Sequence, residues 1–156
     1  MRLNTLLFLV DDARQEICLA MKKRGFGAGK LNGVGGKVAA GESIEAAAIR
    51  ETNEEIGVVI LPEDLIKKAV IRFTFETKPD WSVECHTFVA QKWSGEPRES
   101  EEMAPQWFNI SEIPYERMWV DDKHWLPRVL SGETLDADFH FSGDGSKILK
   151  HHMQSV

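Results

Sequence analysis

Apolar positions fall along the chain in short runs of two kinds, and each kind predicts its own element. Thr5–Val10 and Ile17–Met21 are apolar almost throughout. With the polar stretch Asp11–Glu16 between them, they predict two strands joined as a hairpin. Val70–Glu76 alternates instead, with Ile71, Phe73 and Phe75 on one face and Arg72, Thr74 and Glu76 on the other. That is the pattern of a half-buried strand. Val83–Ala90 and Gln106–Ile110 predict further strands, and Val58–Leu61 a short one before Pro62. Ala137–Phe141 and Lys147–His151 flank Gly143-Asp144-Gly145 and predict a terminal hairpin.

Two segments read as helices. Ser43–Ile56 offers Ser43 as an N-cap, Glu45 at the positive end of the dipole and Gly57 to close the last turn. Asp121–Leu130 is the second, with Pro127 working against its middle. Lys22–Gly36 is too glycine-dense for a helix interior and reads as a functional loop or broken strand. Many strands with two helices, one of them central, predict an α/β (α+β) fold with a mixed sheet sandwiched by helices.

Composition narrows the class. At 156 residues the chain is expected to form a single domain, 1–156, with one well-formed core. Its charge of −6 lacks the footprint of a duplex-binding module, so no nucleic-acid partner is expected. A phosphate-bearing small molecule remains open to it if a metal cation supplies local positive charge. Cys18 and Cys85 match no metal or redox spacing. The run Leu6–Val10 is too short for a membrane span. A monomeric, reduced, cytoplasmic protein with no membrane partner is the expectation.

The sharpest chemical signal lies at Gly36–Val58. Glu51, Glu54 and Glu55 stand at i, i+3 and i+4, which on a helix share one face within about 100° of arc. Like charges so placed repel, and a hard divalent cation such as Mg²⁺ is an economical compensation. A solvated acidic face is the alternative that three glutamates alone leave open. Ala47 and Ala48, one turn earlier on the same side, are expected to leave room for a ligand. Arg50 points elsewhere and is available to hold a carboxylate.

Gly36, five residues, Glu42, seven residues, Arg50-Glu51, two residues, Glu54-Glu55, one residue and Gly57 together resemble the Nudix box. Thr52 departs from it, standing where the family usually has a large aliphatic residue. The resemblance implies an α/β/α sandwich, with the box folded as loop–helix–loop. It also implies hydrolysis of a nucleoside diphosphate linked to another group, with Mg²⁺ or Mn²⁺ as cofactor. The flanks Met21–Val38, Glu99–Phe108 and Met118–Pro127 are similar to the MutT-homologue branch of that family, the oxidised purine nucleoside triphosphatases.

By position, that resemblance puts Thr5, Lys22, Phe26 and Asn32 in the nucleotide pocket and Val34, Gly35, Gly36 and Lys37 along its wall. It implies that Trp119 stacks on the purine, that Asp121 and Asp122 read the base edge, and that Val120 lies between them. Gly35, through its carbonyl, and Glu51, Glu54, Glu55 and Glu102 are the implied metal ligands. Arg50 is assigned to orientation, and Glu55 or Glu54 to the attacking water, with Glu102 an alternative base. Leu31 and Val120 replace a family tryptophan and proline, which loosens the expectation for the base. The alternatives are another modified purine nucleotide or a dinucleoside polyphosphate, and more distantly a non-catalytic nucleotide sensor. In a partly dry pocket, paired aspartates need not both ionise. One neutral and one charged carboxyl supply a donor and an acceptor, which implies tolerance for both oxidised guanine and oxidised adenine.

Overall fold

A computed structural model describes residues 1–156. The chain forms strands β1 (Arg2–Asp11), β2 (Glu16–Lys22) and β3 (Leu31–Asn32), helix α1 (Ile44–Ile56), strands β4 (Leu65–Phe75), β5 (Val83–Ala90) and β6 (Met103–Asn109), helix α2 (Asp122–Leu130), and strands β7 (Leu135–Phe141) and β8 (Ile148–Ser155). The sheet runs β3-β2-β1-β5-β4-β7-β8, with β6 paired to β2. It is mixed: β1 pairs parallel with β5 and β4 with β7, and the remaining ladders are antiparallel.

Each face of the sheet carries one helix. Phe8 and Val10 of β1, with Ile17 and Leu19 of β2, pack into a core with Trp125, Leu126 and Val129 of α2. Their neighbours Leu7, Leu9, Cys18 and Ala20 point the other way and pack with Ala48 and Ile56 of α1. Burial on both faces is why these strands read as unbroken apolar runs. Each fully buried side chain of this kind contributes about 1.5–3 kcal/mol. The expected α/β/α sandwich is the observed architecture.

α1 begins and ends as its sequence predicts. Ser43 accepts the Ala46 N–H at 3.1 Å, and Gly57, at φ 73°, donates its N–H to the Asn53 carbonyl. Thr52 is fully buried and donates its hydroxyl to the Ala48 carbonyl at 2.8 Å. Ala47 and Ala48 are also fully buried. Their small size serves close packing against the sheet, not space for a ligand, which corrects the sequence expectation.

Other boundaries differ for local reasons. β4 starts at Leu65, five residues before the alternation becomes legible, because a bulge between Lys67 and Ala69 shifts the period. Val58–Leu61 is not a strand: only Val59 bridges, to Ser94, before Pro62 opens a short 3₁₀ turn. α2 runs through Pro127, which lies on the exposed face, where losing one ladder bond costs least.

One departure from a regular sheet builds the site. β1 and β2 pair only at Val10–Ile17 and Asp11–Glu16, then part. Residues 34–38 take the vacated edge of β1: the Thr5 N–H donates to the Gly36 carbonyl at 2.8 Å and the Leu7 N–H to the Val34 carbonyl at 2.7 Å.

Candidate active site

A cavity of about 420 Å³ opens where β1 and β2 part, lined by Asn4, Thr5 and Leu6 on one side and by Lys22, Phe26 and Asn32 on the other. α1 contributes Glu51 and Glu55 to its wall, and the α2 end contributes Trp119, Asp121 and Asp122. Because the two helices pack on opposite faces of the sheet, two sets of carboxylates reach one cavity from opposite sides of the gap.

Two glycines make the α1 end possible by steric necessity. A Cβ on Gly35 would lie 1.9 Å from the Thr5 carbonyl oxygen, and one on Gly36 would lie 2.6 Å from the Glu51 carboxyl carbon. Glu55 accepts the Gly35 N–H at 2.8 Å. Burial pushes the Glu55 carboxyl up to about 7, and the negative charges of Glu51 and Glu102 push the same way, against that hydrogen bond.

Arg50, itself outside the cavity lining, organises carboxylates at and beyond its wall. It donates to both oxygens of Glu42, at 2.7 and 2.9 Å, to Glu51 at 3.0 Å, to Glu54 at 3.2 Å and to the Lys37 carbonyl at 3.1 Å. Glu42 in turn accepts the Ala39 N–H at 3.0 Å, which ties the loop to α1. Glu54 is 57% exposed and faces Arg50, not the cavity. Glu102 lines the cavity and pairs with Arg24 at 3.1 Å. The implied metal-ligand set is the Gly35 carbonyl with Glu51, Glu54, Glu55 and Glu102, and its carboxylates are not drawn into one closed cluster. In donor type it still fits a hard divalent cation, since every ligand is a carboxylate or carbonyl oxygen.

At the α2 end, Asp121 and Asp122 are 3% and 2% exposed. Asp121 occupies the N-cap position but caps nothing; its Oδ2 accepts the Trp125 indole N–H at 2.8 Å. Asp122 Oδ2 is buried without a partner. Burial raises the Asp121 carboxyl to about 6 and raises Asp122 well above the usual range, with the Asp121 charge adding to the second shift. Both shifts favour the neutral form of a buried carboxyl.

The structure thus brings Thr5, Lys22, Phe26, Asn32, Gly35, Gly36, Glu51, Glu55, Glu102, Trp119, Asp121 and Asp122 to one cavity. It places five others outside its lining. Val34 packs in the α1-side core, Lys37 is exposed, and Val120 packs against the α2-side core. Arg50 and Glu54 form the outer cluster just described. Leu31, which stands where the family has a tryptophan, is a core residue. Sequence reasoning missed Phe73, Phe75, Cys85 and Phe141 on the wall. The alternation that exposed Phe73 and Phe75 as an apolar face could not separate cavity wall from core, since the cavity continues the α2-side core.

Comparison with known proteins bears on the family and the fold. The NUDIX domain model matches residues 1–129. The chain is 44% identical over 155 residues to an oxidized purine nucleoside triphosphate hydrolase of Danio rerio, covering 99% of this chain and 96% of the relative. It is 42% identical, with the same coverage, to the protein of that name in Mus musculus. The crystal structure of a MutT protein from Bacillus halodurans superposes with a TM-score of 0.83 at 26% identity, covering 99% of this chain and 98% of that one. With a model match through both helices, and relatives alike along nearly their whole length, the chain belongs to the NUDIX family.

Proposed function

We propose that this protein hydrolyses oxidised purine (deoxy)nucleoside triphosphates, such as 8-oxo-dGTP and 2-hydroxy-dATP, to the monophosphate and pyrophosphate, clearing them from the free nucleotide pool. The observation that carries the reading is a single cavity with two buried, adjacent aspartates at one helix and glutamates from the other. The first set suits a base edge and the second suits a metal-bound phosphate chain. The names of the two full-length relatives favour the same substrates.

In this reading Glu51, Glu54, Glu55, Glu102 and the Gly35 carbonyl would hold Mg²⁺, or Mn²⁺ in its place. When bound, the ion supplies neutralisation of the phosphate oxygens and acidification of water. Glu55 orients and deprotonates the attacking water, because it lines the cavity while Glu54 is turned out to Arg50. Arg50 fixes the direction of Glu51 and Glu54. Trp119 offers a stacking surface, worth about 1–3 kcal/mol for a base. Asn32 and the aspartates bind the base edge, and Lys22 faces the charged part of the nucleotide. Exchange of one proton between Asp121 and Asp122 lets the same pocket meet oxidised guanine or oxidised adenine. The enzyme acts on free nucleotides as a cytoplasmic monomer; no helix is long and apolar enough to cross a membrane.

Pyrophosphate release from 8-oxo-dGTP and dGTP, measured side by side with Mg²⁺, tests the proposal. Preferential turnover of the oxidised nucleotide, abolished by chelation and by Glu55→Gln, is expected. Equal turnover of both, with a preference for a methylated purine or a dinucleoside polyphosphate, would move the reading to that substrate. Binding without turnover would make the protein a nucleotide sensor.

A further inference from the structure

Phe26 stands at the cavity rim with 57% of its surface exposed. Its neighbours Gly25 and Gly27 both have positive φ, 85° and 84°, and glycines restrain a loop backbone weakly. The ring is held by two indoles instead. Trp119 lies on one side, 5.1 Å between centroids and tilted by 32°. Trp81 lies on the other, 5.4 Å away and edge-on at 68°. Trp81 also rests edge-on against Phe75 at 5.6 Å and carries the Lys78 ammonium 4.0 Å above its ring.

The result is one aromatic row, Trp119–Phe26–Trp81–Phe75, joining the β2–β3 loop, the turn between β4 and β5, and the segment entering α2. Phe26, Phe75 and Trp119 line the cavity, whereas Trp81 does not. Trp81 touches the site only through its neighbours. A large exposed aromatic that braces another over a cavity mouth asks for an explanation beyond folding.

We infer that Trp81 is a positioning residue for the nucleotide base: it pins Phe26 at the rim, so that a purine against Trp119 is enclosed on its open side. The inference rests on the reading that this cavity takes a purine nucleotide. Trp81 sits in the short 3₁₀ turn Pro79–Trp81 and packs on Phe26 and Phe75, outside the cavity lining to which the α1 glutamates belong. Its effect therefore falls on the base and not on the phosphates. Edge-to-face pairs are worth enough to shift an affinity by about two- to tenfold.

The test compares Trp81→Ala and Trp81→Phe with the wild type by calorimetry in Mg²⁺. The probes are a non-hydrolysable 8-oxo-purine nucleoside triphosphate and inorganic tripolyphosphate, which has no base. Trp81→Ala is expected to weaken the nucleotide about two- to tenfold and leave tripolyphosphate unchanged, with Trp81→Phe recovering most of the loss. In turnover, KM rises and kcat stays. Unchanged nucleotide affinity in Trp81→Ala overturns the inference. Equal weakening of both probes, or a loss explained by a fall in Tm, also overturns it by giving Trp81 a merely structural role. If the wild type binds tripolyphosphate but not the purine nucleotide, the substrate reading fails first and this inference with it.

Discussion

Arg50 clasps Glu42 through two parallel hydrogen bonds, Nε to Oε2 at 2.7 Å and Nη2 to Oε1 at 2.9 Å, and so fastens α1 to the loop that precedes it. The guanidinium holds Glu42 down to about 2. The remaining donors reach Glu51, Glu54 and the Lys37 carbonyl. Lysine cannot reproduce this fork. Arg50→Lys is expected to lower kcat/KM by about 10- to 100-fold, as loss of a ligand-orienting partner does. A titration of activity against Mg²⁺ should show half-maximal activity at a higher Mg²⁺ concentration at the same time. Wild-type kinetics in Arg50→Lys would remove Arg50 from the machinery.

Glu55→Gln separates chemistry from stability. The amide oxygen still accepts the Gly35 N–H, now made at 2.8 Å, while a costly buried charge disappears. Turnover is expected to fall by about 10²- to 10⁴-fold, the worth of a positioned general base. The thermal midpoint should hold or rise. A collapse of the midpoint would mean that Glu55 is structural.

The aspartate pair makes stability depend on pH. Both carboxyls have folded-state pKa values above their unfolded ones, Asp121 at about 6 and Asp122 higher. Between about pH 4 and those values the folded state binds more protons than the unfolded. Their contribution to stability is therefore fully present below about pH 4 and is lost as pH rises through about 6 and beyond. Asp122→Asn cannot ionise. It should be more stable than the wild type near pH 8, with the gap closing towards about pH 4. Urea midpoints across that range check the prediction, and a gap independent of pH would refute it.

Thr52 spends a buried hydroxyl on the Ala48 carbonyl, which the helix ladder already uses. Such a back-bond adds little and slightly weakens a helix. Thr52→Val keeps the shape and buries a methyl group, so the thermal midpoint should rise by a few degrees, about 0.5–1 kcal/mol, with turnover unaltered. A lower midpoint would show that the hydroxyl contributes more than its geometry suggests.

Local signals in the sequence set α1 almost to the residue. Ser43 and Gly57 act within one turn of themselves, and the spacing of Glu51, Glu54 and Glu55 is a property of the helix alone. The apolar runs at Thr5–Val10 and Ile17–Met21 likewise determined β1 and β2, since their burial on both faces is written in unbroken hydrophobicity. The start of β4 was hidden by its bulge, and Val58–Leu61 lacked a partner strand that no local pattern could reveal.

Tertiary structure alone decided where the cavity opens. β1 and β2 stop pairing after two register positions, and residues 34–38 fill the edge, so glutamates and aspartates from opposite faces of the sheet meet across the gap. It also decided that Glu54 turns out to Arg50 while Glu55 turns in, and that Phe73 and Phe75 line a cavity and not a closed core. Helix caps and periodicity act over a few residues and survive in the one-dimensional pattern. A break in a strand ladder, and the space it leaves, depends on which distant segments compete for the same edge.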